Sequence, residues 1–177
     1  MNDRIRKRTK YLTVSAMLSA LGVVILSLGA LVDVLDLTTA VMASFLIIYA
    51  VIEMSGVYPW LIWLVTSTLA LILLPQKTPA LFYALFAGFY PILKERLEPL
   101  RSIIAYPLKL LVFHLSLGGI VLAVYLLFPE LLDTAGLWWM PVALYIASVL
   151  CFLLYDRALT HLITYYLIKL QKRFRIK

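Results

Sequence analysis

Glu53, Lys109 and His114 stand out because apolar sequence surrounds each of them, and Lys77 because it is a lone cation in the turn between two apolar runs. A charge held at bilayer depth costs about 2.5–3.5 kcal/mol on insertion scales, so such residues normally carry a partner or a function. Glu53 falls at the end of the second apolar run and Lys109 near the start of the fifth. Both lie at similar depth, and a structural ion pair between Glu53 and Lys109 is predicted; proton relay is the functional alternative. His114 lies in the middle of the fifth run, close to Ser116 and one turn from Gly118-Gly119. A neutral imidazole there can hydrogen-bond a solute, with the glycines leaving room for it, or it can bond a neighbouring helix. Tyr83, Phe86, Tyr125, Trp139 and Tyr145 add aromatic surface. From these, Lys77, Tyr83, His114, Trp139 and Tyr145 form the expected solute-binding set. Aromatic walls with a few polar groups suit a flat, partly apolar small molecule. The same rings also fit a lipid-facing belt.

Catalytic patterns are missing. The chain has no His-Glu-x-x-His, no Gly-x-Ser-x-Gly and no phosphate-binding glycine loop. Glu95 and Glu98 sit among basic residues without paired histidines. Cys151 is the single cysteine, and His114 and His161 are far apart, so neither a metal site nor a cofactor is expected. The reading is of a protein that is not an enzyme.

The elements that must position these residues are helices in a bilayer. Hydrophobic residues make up 64% of the chain and charged ones 14%, more apolar surface than a water-soluble fold can hide. Six apolar stretches are delimited by prolines, glycines and charges: near 11–31, 38–55, 59–74, 79–94, 103–128 and 137–157. They predict an all-α membrane protein, a compact bundle of six transmembrane helices forming a single domain over 1–177. The third and fourth stretches are short for a ~30 Å hydrocarbon core, and Pro91 invites a kink in the fourth. Beyond Asp156-Arg157, Leu159, Leu162, Ile163, Tyr166, Leu167 and Leu170 recur at helical spacing. An amphipathic cytoplasmic extension is expected there, over 158–174.

The net charge of +7 is concentrated in Arg4–Lys10, Lys94–Arg101 and Lys169–Lys177. These clusters flank apolar runs instead of covering a soluble surface, so anionic headgroups explain them better than nucleic acid does. Placing both termini in the cytoplasm gathers all three clusters there and leaves Lys77 as the only basic residue outside, beside the acidic loops at Asp33–Asp36 and Glu130–Asp133. Tyr58, Tyr90 and Tyr106 then lie near the inner interface and Trp138-Trp139 near the outer one. The basic start followed by Tyr11–Leu31 is too long for a cleaved leader and reads as a retained first span.

That span carries small residues at helical spacing. Ala16 and Ala20 are four apart, and Ser15, Ser19 and Gly22 form an adjacent stripe leading to Gly29. Small side chains let another helix approach closely. The stripe serves either packing within the bundle or docking of another membrane protein, with Ser15, Ala16, Ser19 and Ala20 as the contact residues.

Six short hydrophobic helices, a basic amino terminus and the Ala16-x-x-x-Ala20 face resemble the substrate-binding S components of energy-coupling factor (ECF) vitamin transporters. The resemblance covers the whole chain in size and span count. It implies that Ala16 and Ala20 meet a transmembrane coupling subunit driven by two ATPase subunits. It further implies an outward-opening pocket capped by segments around Asp33–Asp36 and Pro75–Thr78, and a bundle that topples to deliver its solute. The expected function is ATP-driven uptake of a vitamin-like molecule across a bacterial cytoplasmic membrane, through that ECF-type partner. The alternative is a non-transport structural or assembly protein with a similar six-helix fold, which would use the small-residue face without an outward cavity.

Overall fold

A computed structural model describes residues 2–32, 35–54, 56–127, 139–166 and 168. Among them the chain is helical, with no strand. The helices are α1 (Asn2–Leu31), α2 (Asp36–Glu53), α3 (Tyr58–Leu73), α4 (Thr78–Phe82), α5 (Tyr90–Leu97), α6 (Ser102–Leu127) and α7 (Met140–Tyr165). A π-helical turn, Tyr83–Ala87, joins α4 to α5. Four segments are long and apolar enough to cross a membrane: Ile5–Leu31, Asp36–Glu53, Ile103–Leu126 and Met140–Tyr165. The apolar α3 has 16 residues and spans about 24 Å, short of a ~30 Å core.

The sequence explains most of the boundaries. Pro59, Pro79, Pro91 and Pro141 occupy the first turns of α3, α4, α5 and α7, where a missing N–H leaves no helical bond unmade. The turn after α2 contains Gly56 at a φ of 71°, the left-handed region that suits glycine. Pro107 is the exception, lying inside α6. The 79–94 stretch, expected as one span, is instead two short helices flanking a wide turn. α7 runs unbroken through Asp156-Arg157 to Tyr165, and the residues at 169–174 of the expected amphipathic extension lie outside the described residues. Asp33, the Glu130–Asp133 loop and Trp138 lie outside them as well.

The chain forms two compact units, residues 1–116 and 117–177. In the first, α1 packs along both α2 and α3, and α2 also meets α4, the π turn and α5. The helix junctions are close. Ser15, Ser19, Gly22, Leu26, Gly29 and Ala30 are the buried line of α1, repeating every three or four residues. A methyl group on Gly22 would lie 2.9 Å from Thr66 Cγ2 of α3, and one on Gly29 would overlap Thr39 Oγ1 of α2. Opposite this line, Leu12, Met17, Leu21, Val24 and Leu28 are exposed. So apolar an outer surface is stable against lipid or a protein partner and not against water. In the second unit, Phe152, Tyr155 and Leu159 are the buried residues of α7, spaced three and four apart.

Candidate functional site

The site is built where α3 passes the break between α4 and α5. In an α-helix the Gly88 N–H would bond Ala84 O, four residues back. Here it bonds Tyr83 O at 2.8 Å, which widens the turn. The Ala84 carbonyl accepts instead from the indole N–H of Trp63 on α3, at 3.1 Å. A backbone acceptor freed by the wide turn is thus satisfied from the neighbouring helix, as an apolar surrounding demands. Trp63 also meets Trp60 and Phe89 edge-on, at centroid distances of 5.7 and 6.2 Å. Gly88 makes this approach possible, since a Cβ there would sit 2.5 Å from Trp63 Cδ1 and 2.9 Å from Tyr83 Cζ.

Tyr83 opens the turn and points inward, with only 1% of its surface exposed. Its hydroxyl is hydrogen-bonded to the side chain of Thr66 on α3. Thr66, also fully buried, reaches Ser19 O of α1 at 3.5 Å. A polar line therefore crosses the first unit from the π turn through α3 to α1. Ser15 continues the polar content of α1, its hydroxyl 4.0 Å from Met54 Sδ. Ser67, next to Thr66, is buried too, and its hydroxyl has no hydrogen-bond partner among the described residues.

One turn further along, α5 carries Tyr90 and Lys94, both with no exposed surface. Positions 90, 94 and 97 share one helical face, which puts Lys94 between Tyr90 and Leu97 on the buried side. Phe86 stacks at a tilt on Tyr90, at 5.3 Å, and meets Phe113 of α6 edge-on at 6.1 Å. The result is an interior in which a phenol and a threonine meet at the wide turn, with aromatic rings along the segment that follows. Such a set can hold a small molecule that has both a ring and hydrogen-bonding groups.

Of the residues singled out from sequence, Lys77, Tyr83 and His114 belong to this first unit. Lys77 is half-buried at the entrance to α4, and its ammonium donates to Leu74 O. His114 is exposed on α6, donating from Nδ1 to Leu110 O at 2.8 Å and lying edge-on to Phe113. Trp139 and Tyr145 belong to the second unit, exposed at the start of α7. Glu53 is half-buried where α2 ends. Lys109 is buried two turns into α6, its ammonium 5.7 Å from the Tyr106 ring centre. The four small residues of α1 divide by face, Ser15 and Ser19 inward and Ala16 and Ala20 outward. Among the described residues no three His, Cys, Asp or Glu side chains converge.

Sequence reasoning missed Thr66, Trp63 and the interior position of Lys94. The sequence groups Lys94 with the basic cluster Lys94–Arg101 at the cytoplasmic side, whereas the structure buries it. The available signal was the Tyr90/Lys94/Leu97 spacing, which sets the lysine on the apolar face while Glu95 and Arg96 fall outside it. No family model, no curated protein and no solved structure matches this chain.

Proposed function

We propose that the chain is a membrane-embedded solute-binding subunit of an uptake system, with its site at the interrupted α4–α5 segment. The observation that carries the reading is the fully buried Tyr83–Thr66–Ser19 line beside a wide helical turn. Interrupted helices at membrane depth are tolerated only where protein or a cavity satisfies their backbone, and transporters use such breaks to hold solutes. Packing against lipid needs no buried phenol and threonine beside a wide turn, and a polar solute gives them a use.

In this reading the bundle spans the membrane six times, with α3 and the α4–α5 segment as its short crossings and both termini in the cytoplasm. The solute is small and vitamin-like, one ring system with hydrogen-bonding groups. Tyr83 and Thr66 supply directional hydrogen bonds to it. Lys77 stands at the turn into α4 as an outer contact. No ATP-binding loop occurs in the sequence, so active uptake needs an ATPase-driven partner of the energy-coupling factor type. The outward Ala16/Ala20 face of α1 is the surface proposed for its coupling subunit.

Native mass spectrometry of the full chain, extracted in mild detergent from its own membrane, tests this. A retained small organic molecule that is lost in Tyr83→Phe supports the solute site. Co-purification of a membrane subunit with two ATPases supports the transport system. Preparations that are always empty and solitary refute both. The second reading, a structural or assembly protein, draws on the same exposed Ala16/Ala20 face. It gains if a partner co-purifies without ATPases and without any bound solute.

A further inference from the structure

We infer that Trp60 and Arg96 form a headgroup site for an anionic phospholipid. Arg96 is exposed on α5, and its guanidinium carbon lies 5.9 Å from the centre of the Trp60 ring on α3. This stacking holds an otherwise mobile cation in one place, with its fork of N–H donors available to an oxyanion. Among the described residues no carboxylate pairs with Arg96. Its neighbours Glu95 and Glu98 are one and two positions away on the same segment and do not face it. Trp60 is half-buried in the first turn of α3, and its indole N–H makes no hydrogen bond among the described residues.

The surroundings fit a phospholipid and not a free anion. Tyr11 of α1 meets Tyr58 of α3 edge-on at 5.2 Å, which ties the base of α1 to the start of α3. Arg6, Lys7 and Arg8 are exposed just before Tyr11. The start of α3 therefore meets Tyr11, which follows the basic run of α1, and carries Arg96 over its Trp60 ring. Beyond Trp60, Leu61 and Leu64 are exposed along α3, an apolar wall of the kind an acyl chain follows. A phosphate on the guanidinium, a ring at the interface and a chain along leucines make one ligand. The same basic residues disfavour a headgroup that adds its own cation, so the site selects phosphatidylglycerol over phosphatidylcholine. The inference rests on membrane insertion, not on solute capture, and insertion is checked separately by carbonate-resistant sedimentation with membranes.

The test is native mass spectrometry of the detergent-solubilised full chain, titrated with phosphatidylglycerol and with phosphatidylcholine of matched acyl chains. Wild type is expected to bind the first phosphatidylglycerol about five-fold more tightly, the size expected of one basic side chain at an anionic surface. Arg96→Gln removes that preference, while Arg157→Gln, which removes the same formal charge from an exposed position on α7, keeps it. An unchanged preference in Arg96→Gln overturns the site, and so does an equal loss in both variants, since that would mean diffuse surface charge. Displacement of the lipid by millimolar inorganic phosphate would likewise overturn it in favour of a plain anion site.

Discussion

Gly88→Ala tests the geometry on which the candidate site depends. A Cβ at this position would lie 2.5 Å from Trp63 Cδ1, 2.9 Å from Tyr83 Cζ and 2.9 Å from Tyr83 O. Ordinary carbon contacts fall near 3.5–4.0 Å, so the neighbours must retreat by about an ångström. Neither retreats cheaply. Tyr83 O accepts the 2.8 Å bond that defines the wide turn, and Trp63 is anchored by its 3.1 Å bond to Ala84 O. Overpacking of this kind costs about 1–3 kcal/mol. Loss of the indole bond would add roughly 1 kcal/mol or somewhat less inside a membrane protein. The helix-propensity gain from replacing glycine by alanine, about 1 kcal/mol in a helix interior, applies weakly because Gly88 sits in a turn. The sum predicts destabilisation of about 1–4 kcal/mol. Gly118→Ala is the control: it lies within α6, and a Cβ there has no neighbour within 4 Å among the described residues. It should be neutral or stabilising by up to about 1 kcal/mol. Reversible unfolding in mixed lipid–detergent micelles, followed by tryptophan fluorescence and circular dichroism, measures both. If Gly88→Ala is as stable as wild type, the close approach of Trp63 to the π turn is wrong, and the reasoning fails with it.

Three further outcomes follow from the same structure. Tyr83→Phe keeps the buried ring and removes its hydrogen bond to Thr66, so stability should fall by only about 1 kcal/mol while retention of a co-purifying solute is lost; retained solute at wild-type level would remove Tyr83 from the site. Ala16→Trp and Ala20→Trp alter an exposed face and should leave the monomer folded while blocking assembly with a membrane partner, whereas Ser19→Trp enters the buried line of α1 and should prevent accumulation of folded protein; equal behaviour of all three in membrane-fraction yield would erase the distinction between the faces. In a Cys151→Ser background, Lys7→Cys should react with an impermeant thiol reagent only from the cytoplasmic side and Lys77→Cys only from the outside; labelling of both from one side would refute the proposed six crossings.

Much of the helical layout was legible in the sequence for a plain reason. Apolar runs of membrane length have one stable use, and proline at the first turn of a helix marks its start without loss of a hydrogen bond. The starts of α3, α4, α5 and α7 follow from Pro59, Pro79, Pro91 and Pro141 on that basis. The internal conformation of the 79–94 stretch was not legible. A π turn differs from an α turn by one residue of hydrogen-bond register, and Tyr83–Ala87 carries no residue that demands it. What stabilises the turn is a donor on another helix, Trp63, which meets the released Ala84 carbonyl only after α3 has packed alongside.

The inward face of α1 shows the same division. Its sequence supplied two adjacent small-residue stripes, one through Ser15, Ser19 and Gly22 and one through Ala16 and Ala20. Hydropathy does not choose between them, because lipid and protein interior are equally apolar and the usual polar-outside signal is missing. Contact with Thr66 and Thr39 put the serine–glycine stripe inside and left the alanines facing out. Lys94 was placed the same way: its charge pointed to a loop, and the packing of α5 against α2 buried it between Tyr90 and Leu97. The sequence determined that this chain is helical, apolar and basic at its ends. Packing alone decided which polar groups meet in the interior, since that depends on close approach between helices far apart in the chain.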